Sequence, residues 1–374
     1  MTEKMEDLHD LFGKYVRIQA AIGRGSTGVV YQCLEVETGR MVALKLGNLI
    51  KEAQILQYLQ RRSIPERLLL RYFLISNQVI VCEFAPMASL ETCMTKNLHF
   101  PWIAEIGQCL LRALHHIHIA DIIHRDVKPS NVLVFSDGSI RLSDFSLAVH
   151  ASKCNECIGD FKFMSPERLR GQEYGTSADI WSLGMLLLQL VLKGTLFTTL
   201  FSTQEDDNVN EEKNFWSALE IFEDDEQGCF SAILNIISPH KHLFPLLQKS
   251  DFCHFIYTCL QLDPARRPTA SDVLANSNVW PQTDKAQWAP KQRQAILAPH
   301  TPSRLKTLHL LLDTFEQFAP FVLTSTHLNN LANDCQLPVA AVRAAITDRR
   351  PKLELLAKNS YSKEICFPYI CQCT

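Results

Sequence analysis

Asp126, Lys128 and Asn131 stand close together in His124-Arg125-Asp126-Val127-Lys128-Pro129-Ser130-Asn131, and Asp144 follows in Asp144-Phe145-Ser146. A loop is the natural way to point the first three side chains at one place. That loop then supplies a proton acceptor, a cation for phosphate and an amide able to bind a metal. Asp144 adds a carboxylate that can hold the same metal. This set of parts fits phosphoryl transfer, where catalysis is mostly positioning and charge neutralisation. Read more plainly, the same residues are a buried His and a surface cluster of Arg, Asp and Lys that cap a turn.

The elements that must position these groups can be read from the flanking pattern. An apolar helical run covers Trp102 to Ala120, and short strand-like segments cover Asn131–Phe135 and Ile140–Leu142. Upstream, Tyr15 to Ala21 alternates as a strand does. It runs into Gly23-Arg24-Gly25-Ser26-Thr27-Gly28 and a second strand, Val29 to Val36. A dinucleotide-binding glycine loop has the same spelling but opens a helix. Here β-branched Val29 and Val30 and aromatic Tyr31 favour a strand, and Glu37-Thr38-Gly39-Arg40 reads as a hairpin turn. The next strand carries Val42-Ala43-Leu44-Lys45. A lysine between apolar residues can simply snorkel out of a half-buried strand. Lys51 to Leu56 has helical spacing, and Leu68–Leu74 with Gln78–Glu83 makes a hairpin around Ser76-Asn77.

Taken in this order, the motifs resemble a eukaryotic protein kinase: HRDxKxxN is the catalytic loop and Asp144-Phe145-Ser146 the magnesium loop. The resemblance covers roughly residues 15–280. It implies an α+β, two-lobed fold with a small lobe over 15–85 and a large lobe over 86–280. ATP and Mg²⁺ are the cofactors it implies. By resemblance, Gly23, Gly25 and Gly28 form the lid over the phosphates, and Val30 covers the adenine near Ala43 and Leu133. Lys45 contacts the phosphates and Glu52 orients it. Cys82 is a small gatekeeper, and backbone groups near Glu83 and Ala85 bind the base. Asp126 accepts or orients the hydroxyl proton, Lys128 steadies the γ-phosphate, and Asn131 and Asp144 hold magnesium. Glu167, in Met164-Ser165-Pro166-Glu167, is expected to pair with Arg267, and Asp179 to hold the catalytic-loop backbone. The spacing of Asp126 and Lys128 resembles serine/threonine and dual-specificity enzymes.

Residues 122–184 look most like MAP kinase kinases, which implies a MAP kinase as protein substrate and an upstream activating kinase. Those enzymes carry two phospho-acceptors four residues apart. Counting back from Gly159 and Pro166, the positions are Ser152, which keeps a hydroxyl, and Glu156, which is already charged. Arg125 is the expected cation for such an anion. Asp160 replaces the threonine that bridges the catalytic Asp and Lys in the family. Its carboxylate is placed to pair with Lys128 and to repel Asp126, or else to point to solvent.

The chain departs from the family in two further places. Only six residues separate Lys45 from Glu52. An extended connection of that length reaches ~20 Å, so contact is feasible, but the helix carrying Glu52 loses its first turns. Ser146 stands where the family has glycine, a residue free to take φ > 0. The alternative reading is therefore a pseudokinase that binds partners or nucleotide without catalysis.

Composition sets outer limits. With 374 residues, 47% of them hydrophobic and 21% charged, the chain reads as an ordinary globular protein with material for two or three domains. A net charge of −3 offers no basic footprint for nucleic acid or an anionic membrane. Thirteen cysteines, an odd number, are irregularly spaced and read as reduced thiols of a cytoplasmic protein. Leu183 to Leu192 is too short to span a bilayer. Acidic runs at Glu205-Asp206-Asp207, Glu211-Glu212 and Glu223-Asp224-Asp225-Glu226 read as solvated loop. Residues 1–14 form a charged lead-in and the proline-bearing stretch 281–302 a linker. Residues 303–374 form a C-terminal helical extension in which Thr326–Ala332 and Pro338–Ile346 suggest a helix-turn-helix pair. A DNA-reading module is the sharper interpretation of that pair and a packing appendage the plainer one, which the net charge favours. Cys366, Cys371 and Cys373 lack the second ligand pair a zinc site needs.

Overall fold

The computed structural model describes residues 14–65, 67–85, 89–94, 100–135, 138–192, 250–275, 306–313 and 325–346. The acidic runs, the proline-bearing linker and the C-terminal cysteines lie outside the described residues. The chain divides into two compact units.

The first unit holds the N-terminal strands as far as Lys45 together with the C-terminal extension. Strand β1, Tyr15–Arg24, pairs antiparallel with β2, Gly28–Glu35, and β3, Arg40–Gly47, follows as the next neighbour of β2. The β2–β3 turn closes on Gly39, whose φ of 67° suits a residue without Cβ, and the Gly39 N–H donates to Glu35 O at 2.8 Å. Thr38 locks the turn by donating to the Glu35 carboxylate at 2.6 Å.

The extension contributes helices over 306–313, Ser325–Cys335 and 339–346. Gln336, at φ 54°, ends the second of these, with Leu337 N–H reaching back to Ala332 O at 2.9 Å. His327, Asn330 and Asp334 share one face of that helix and meet the β2–β3 hairpin. Asn330 Nδ2 donates to Thr38 O at 2.9 Å, the Asp334 carboxylate accepts from Met41 N–H at 2.8 Å, and His327 Nε2 lies 3.4 Å from Val36 O. The hairpin backbone would otherwise leave these groups to water. The extension is thus a packing element on the small-lobe strands, and the face that carries its polar residues is spent on that contact.

The second unit begins with Ser26–Gly28 and resumes at Leu46. Its first helix, Ile50–Gln60, starts two residues before Glu52 and has no side-chain N-cap, in line with the short connection. The missing turns are replaced by a tether to the hairpin of β4, Tyr72–Ile75, and β5, Val79–Glu83. Gly47 N–H donates to Gln78 O at 3.1 Å and Leu49 N–H to Asn77 O at 2.9 Å. The inner face of the helix, Glu52, Ala53, Ile55, Leu56 and Leu59, is buried.

The core of this unit lies between the helices Phe100–His118 and Ser177–Leu192. Ile103, Ile106, Leu110, Leu114 and Ile117 recur at helical spacing and are at most 1% exposed. Burying each contributes about 1.5–3 kcal/mol. Gly184 allows Cys259 and Leu260 to approach so closely that a Cβ would sit 2.8 Å from the Cys259 Cβ. Among the described residues no helix is long and apolar enough to cross a membrane.

Candidate active site

Four short strands bring the candidate catalytic residues together. Strand β6, Ile122–Ile123, pairs with β9, Val149–His150, and β7, Val132–Val134, pairs with β8, Ile140–Leu142. The loop from His124 runs from β6 towards β7, and the loop from Ser143 runs from β8 to β9. Each loop is therefore pinned to the other at both ends. Asn131 O ties them again, accepting from Ser143 N–H at 2.9 Å and from Ser143 Oγ at 2.8 Å.

Asp179 holds the first loop from below. Its carboxylate is wholly buried and accepts from His124 N–H at 2.8 Å and Arg125 N–H at 2.9 Å. His118 Nε2 lies 2.9 Å from the same carboxylate. Burial pushes the Asp179 pKa upward, but His118 and the charges and amides around it outweigh that and hold it below the ordinary value. His124 is neutral: burial lowers its pKa despite the nearby carboxylates. Its partners fix the tautomer, because Ser143 O at 3.1 Å can only accept and Asp126 N–H at 3.3 Å can only donate. Phe145 packs edge-on against its ring with centroids 4.9 Å apart.

This scaffold presents Asp126. Its Oδ2 accepts from Asn131 Nδ2 at 2.7 Å and pairs with Lys128 Nζ at 3.1 Å. The other oxygen, Oδ1, is buried and has no hydrogen-bond partner among the described residues. An orphan carboxylate oxygen is costly unless something else supplies its proton. A substrate hydroxyl would do so. Asn131 uses its amide nitrogen for both of its bonds to Asp126, which leaves its oxygen outside those bonds.

Asp144 adopts φ 59°. Ser146 is not among the described residues with positive φ, so serine is unstrained there; the left-handed turn is carried by the aspartate, a residue type that tolerates it. Asp160 differs from expectation. Its carboxylate caps the 3₁₀ turn Phe161–Phe163 by accepting from Lys162 N–H at 3.1 Å, while Lys128 pairs with Asp126. A short polar side chain at the start of a helical turn finds an unpaired N–H next door, and that local bond wins. Gly159 before it takes φ 111°, and a Cβ there would lie 2.9 Å from Arg125 O.

Glu167 and Arg267 pair as expected through two bonds, at 2.6 and 2.7 Å, with both side chains buried. Burial works against the charged carboxylate, but Arg267 holds the Glu167 pKa below its ordinary value. Arg125 reaches Glu156 at 2.6 Å. Ser152 is exposed on the same segment.

The residues expected to bind ATP occupy both units. Gly23 faces Val30 in the β1–β2 register, Ala43 is buried in β3, and Lys45 is half-buried near its end. Gly25 is exposed. In the second unit, Gly28 passes so near Leu46 O that a Cβ could not be placed between them, and Glu52, Cys82 and Ala85 are buried. Leu133 is half-buried in β7. The Glu83 side chain, to which the sequence assigned little, ion-pairs with Arg141 and accepts from Arg71 N–H at 2.7 Å.

Other residues emerge only from the packing. Arg168, 1% exposed, donates to Arg125 O at 2.9 Å and also to Ile158 O. Its cation lies 5.1 Å from the Tyr174 ring. Tyr72 faces Cys82 across the hairpin; burial raises its phenol pKa, with the Cys82, Glu52 and Asp144 charges adding to the effect. A charged residue beside Glu167 in the Met164–Leu169 stretch was the one available signal for Arg168. Nothing local marks Tyr72.

With this geometry stands the family match. The protein kinase domain family model matches residues 16–279, and the chain belongs to that family, with its two-lobed α+β fold. Among its relatives, mitogen-activated protein kinase kinase 3 of Arabidopsis thaliana is 28% identical over 293 residues, covering 74% of this chain and 52% of the relative. Mitogen-activated protein kinase kinase 1c of Physcomitrium patens is 31% identical over 202 residues, 52% of this chain and 53% of the relative. The dual specificity mitogen-activated protein kinase kinase mek-2 of Caenorhabditis elegans is 28% identical over 302 residues, 72% of this chain and 76% of the relative. The chain spans about half the length of the first two.

Proposed function

We propose that this chain is an ATP-dependent protein kinase that transfers the γ-phosphoryl group to serine or threonine hydroxyls of a protein, with a MAP kinase as substrate. The observation that carries the reading is Asp126: one oxygen held by Asn131 and Lys128, the other buried and without a hydrogen-bond partner among the described residues. Asp126 orients the substrate hydroxyl and takes its proton as the oxygen bonds to phosphorus. Lys128, beside it, meets the charge of the transferring group. Lys45 positions the phosphates.

The donor set suits magnesium. Among the described residues no group of three or more His, Cys, Asp or Glu could hold a metal ion. Magnesium would instead rest on the Asp144 carboxylate and the Asn131 oxygen, the remaining positions going to phosphate and water as that ion prefers. When bound, it neutralises charge on the β- and γ-phosphates. The names of the relatives support a MAP kinase substrate and a dual-specificity activity. An upstream kinase acting at Ser152 is part of the same reading. A cytoplasmic setting is part of the same reading, in keeping with thirteen irregularly spaced cysteines.

The test is ATP turnover by the purified protein against a panel of MAP kinases, with Asp144→Ala as control. Transfer to one or more of them, lost in the control while the melting temperature stays within about 3 °C, is the expected result. Equal turnover in Asp144→Ala overturns the assignment.

A further inference from the structure

Arg125 precedes Asp126, so whatever fixes Arg125 fixes the catalytic carboxylate. Its guanidinium spans the segment that follows Asp144. Nε donates to Leu147 O at 2.5 Å, near the start of that segment, and Nη1 donates to the Glu156 carboxylate at 2.6 Å, much further along. The Arg125 side chain is 6% exposed and that of Glu156 is 56% exposed. A nearly buried cation therefore has, among the described residues, its carboxylate partner at the surface.

Glu156 is itself held by its backbone. Tyr174 Oη donates to Glu156 O at 2.7 Å, and Tyr174 exchanges two backbone bonds with Cys154 at 2.9 and 2.8 Å. Arg168 closes the circuit by joining Arg125 O to Ile158 O. Lys51, on the helix that carries Glu52, adds positive potential at Glu156. Arg125 and Lys51 thus keep the carboxylate ionised: the bond from Arg125 and its charge lower the Glu156 pKa.

We propose that Glu156 is a positioning residue whose permanent charge staples this segment to Arg125, so that the catalytic loop is set without a phosphate at this position. The inference rests on the kinase reading above and adds to it the regulation of the same site. A phosphate would bring more charge and a third acceptor oxygen. A carboxylate gives the same link more weakly, which leaves exposed Ser152 as the residue through which phosphorylation raises activity further.

The experiment uses the full chain, treated with phosphatase, as parent, Glu156→Gln and Ser152→Ala. Two quantities are read: kcat and KM for ATP, and hydrogen exchange of the Cys154 and Tyr174 amides without nucleotide. The parent is expected to turn over after phosphatase treatment, and Ser152→Ala to match it. Glu156→Gln should lower kcat about threefold to fivefold, the range an exposed ion pair supports, and leave KM nearly unchanged. The two amides should exchange faster in Glu156→Gln by a similar factor. High salt should bring the parent's exchange towards that of the variant, a response that a merely steric role would not give. Exchange in Glu156→Gln equal to the parent overturns the staple. A parent that turns over only before phosphatase treatment overturns its independence from phosphate. A parent with no turnover in any state, yet with faster exchange in the variant, overturns the kinase reading and upholds the staple.

Discussion

Asp179 and Asp334 do the same work in two regions of the molecule: each ties a backbone segment down by accepting its N–H groups. Asp179 serves the catalytic loop and has three donors around it, His124 N–H, Arg125 N–H and His118. Asp334 serves the β2–β3 hairpin from the C-terminal extension and, among the described residues, accepts from Met41 N–H alone. Both pay for leaving water, but the outcomes differ in sign. Asp179 remains below the ordinary carboxylate value despite burial. Burial drives the Asp334 pKa up to about 6, with Met41 N–H and the more distant charge of Arg40 compensating only in part. Desolvation costs are similar for any carboxylate, so the count and charge of the donors decide. The catalytic region is built to keep its buried charges ionised; the docked extension carries one that is under strain at neutral pH.

Removing a partner from the well-compensated region should have the largest effect. Glu167→Gln leaves Arg267 buried without its carboxylate, and a loss of about 3–5 kcal/mol in unfolding free energy is expected by denaturant titration. A loss under about 1 kcal/mol would show that the pair is compensated elsewhere. Asp179→Asn should cost about 2–3 kcal/mol, since its amide must face N–H donors. It should also depress kcat far more than the stability loss explains, because His124 and Arg125 lose their anchor.

Asp334 gives the opposite sign. A folded pKa near 6, against an ordinary value of 3.8, means that the folded protein binds the proton more tightly. Stability from this group is fully present below about pH 4 and is lost as pH rises through about 6, by roughly 3 kcal/mol in all. Arg40 is the cation facing it, and the neighbouring Cys335 thiol, raised to about 12, stays neutral throughout. Asp334→Asn keeps the acceptor for Met41 N–H and should raise the melting temperature at pH 7 while flattening this slope. Asp179 and Glu167, with lowered pKa values, contribute stability above the ordinary carboxylate range that is lost as pH falls through their folded values. A thermal melt series from pH 3.5 to 7.5 on parent and Asp334→Asn separates the two regions. Coincident curves would erase the contrast drawn here.

The smallest expected stability effect is at Glu156. Its pair with Arg125 is half-exposed, so Glu156→Gln should change global stability by less than about 1 kcal/mol. Its consequence belongs to turnover and local exchange. A large global loss would place Glu156 among the structural carboxylates with Glu167.

By itself, the sequence determined the class of chemistry and the order of the elements. The grouping of Asp126, Lys128 and Asn131 is legible because a short loop fixes their spacing, and residues of these types suit phosphoryl transfer. The glycine hairpin, the short helix after Lys45 and the helical extension follow from local periodicity and turn residues. Tertiary structure decided what depends on partners far along the chain. Asp179 meets its backbone donors across 54 and 55 residues, and Asp334 meets Met41 across 293. Arg168, Tyr174 and Arg141 acquire their roles the same way. Local geometry decided two further points: Asp144 takes a left-handed turn, and Asp160 caps the turn beside it. A residue's type sets which bonds it can make, but only the packed chain sets which partner lies within reach and how much water has been removed around it.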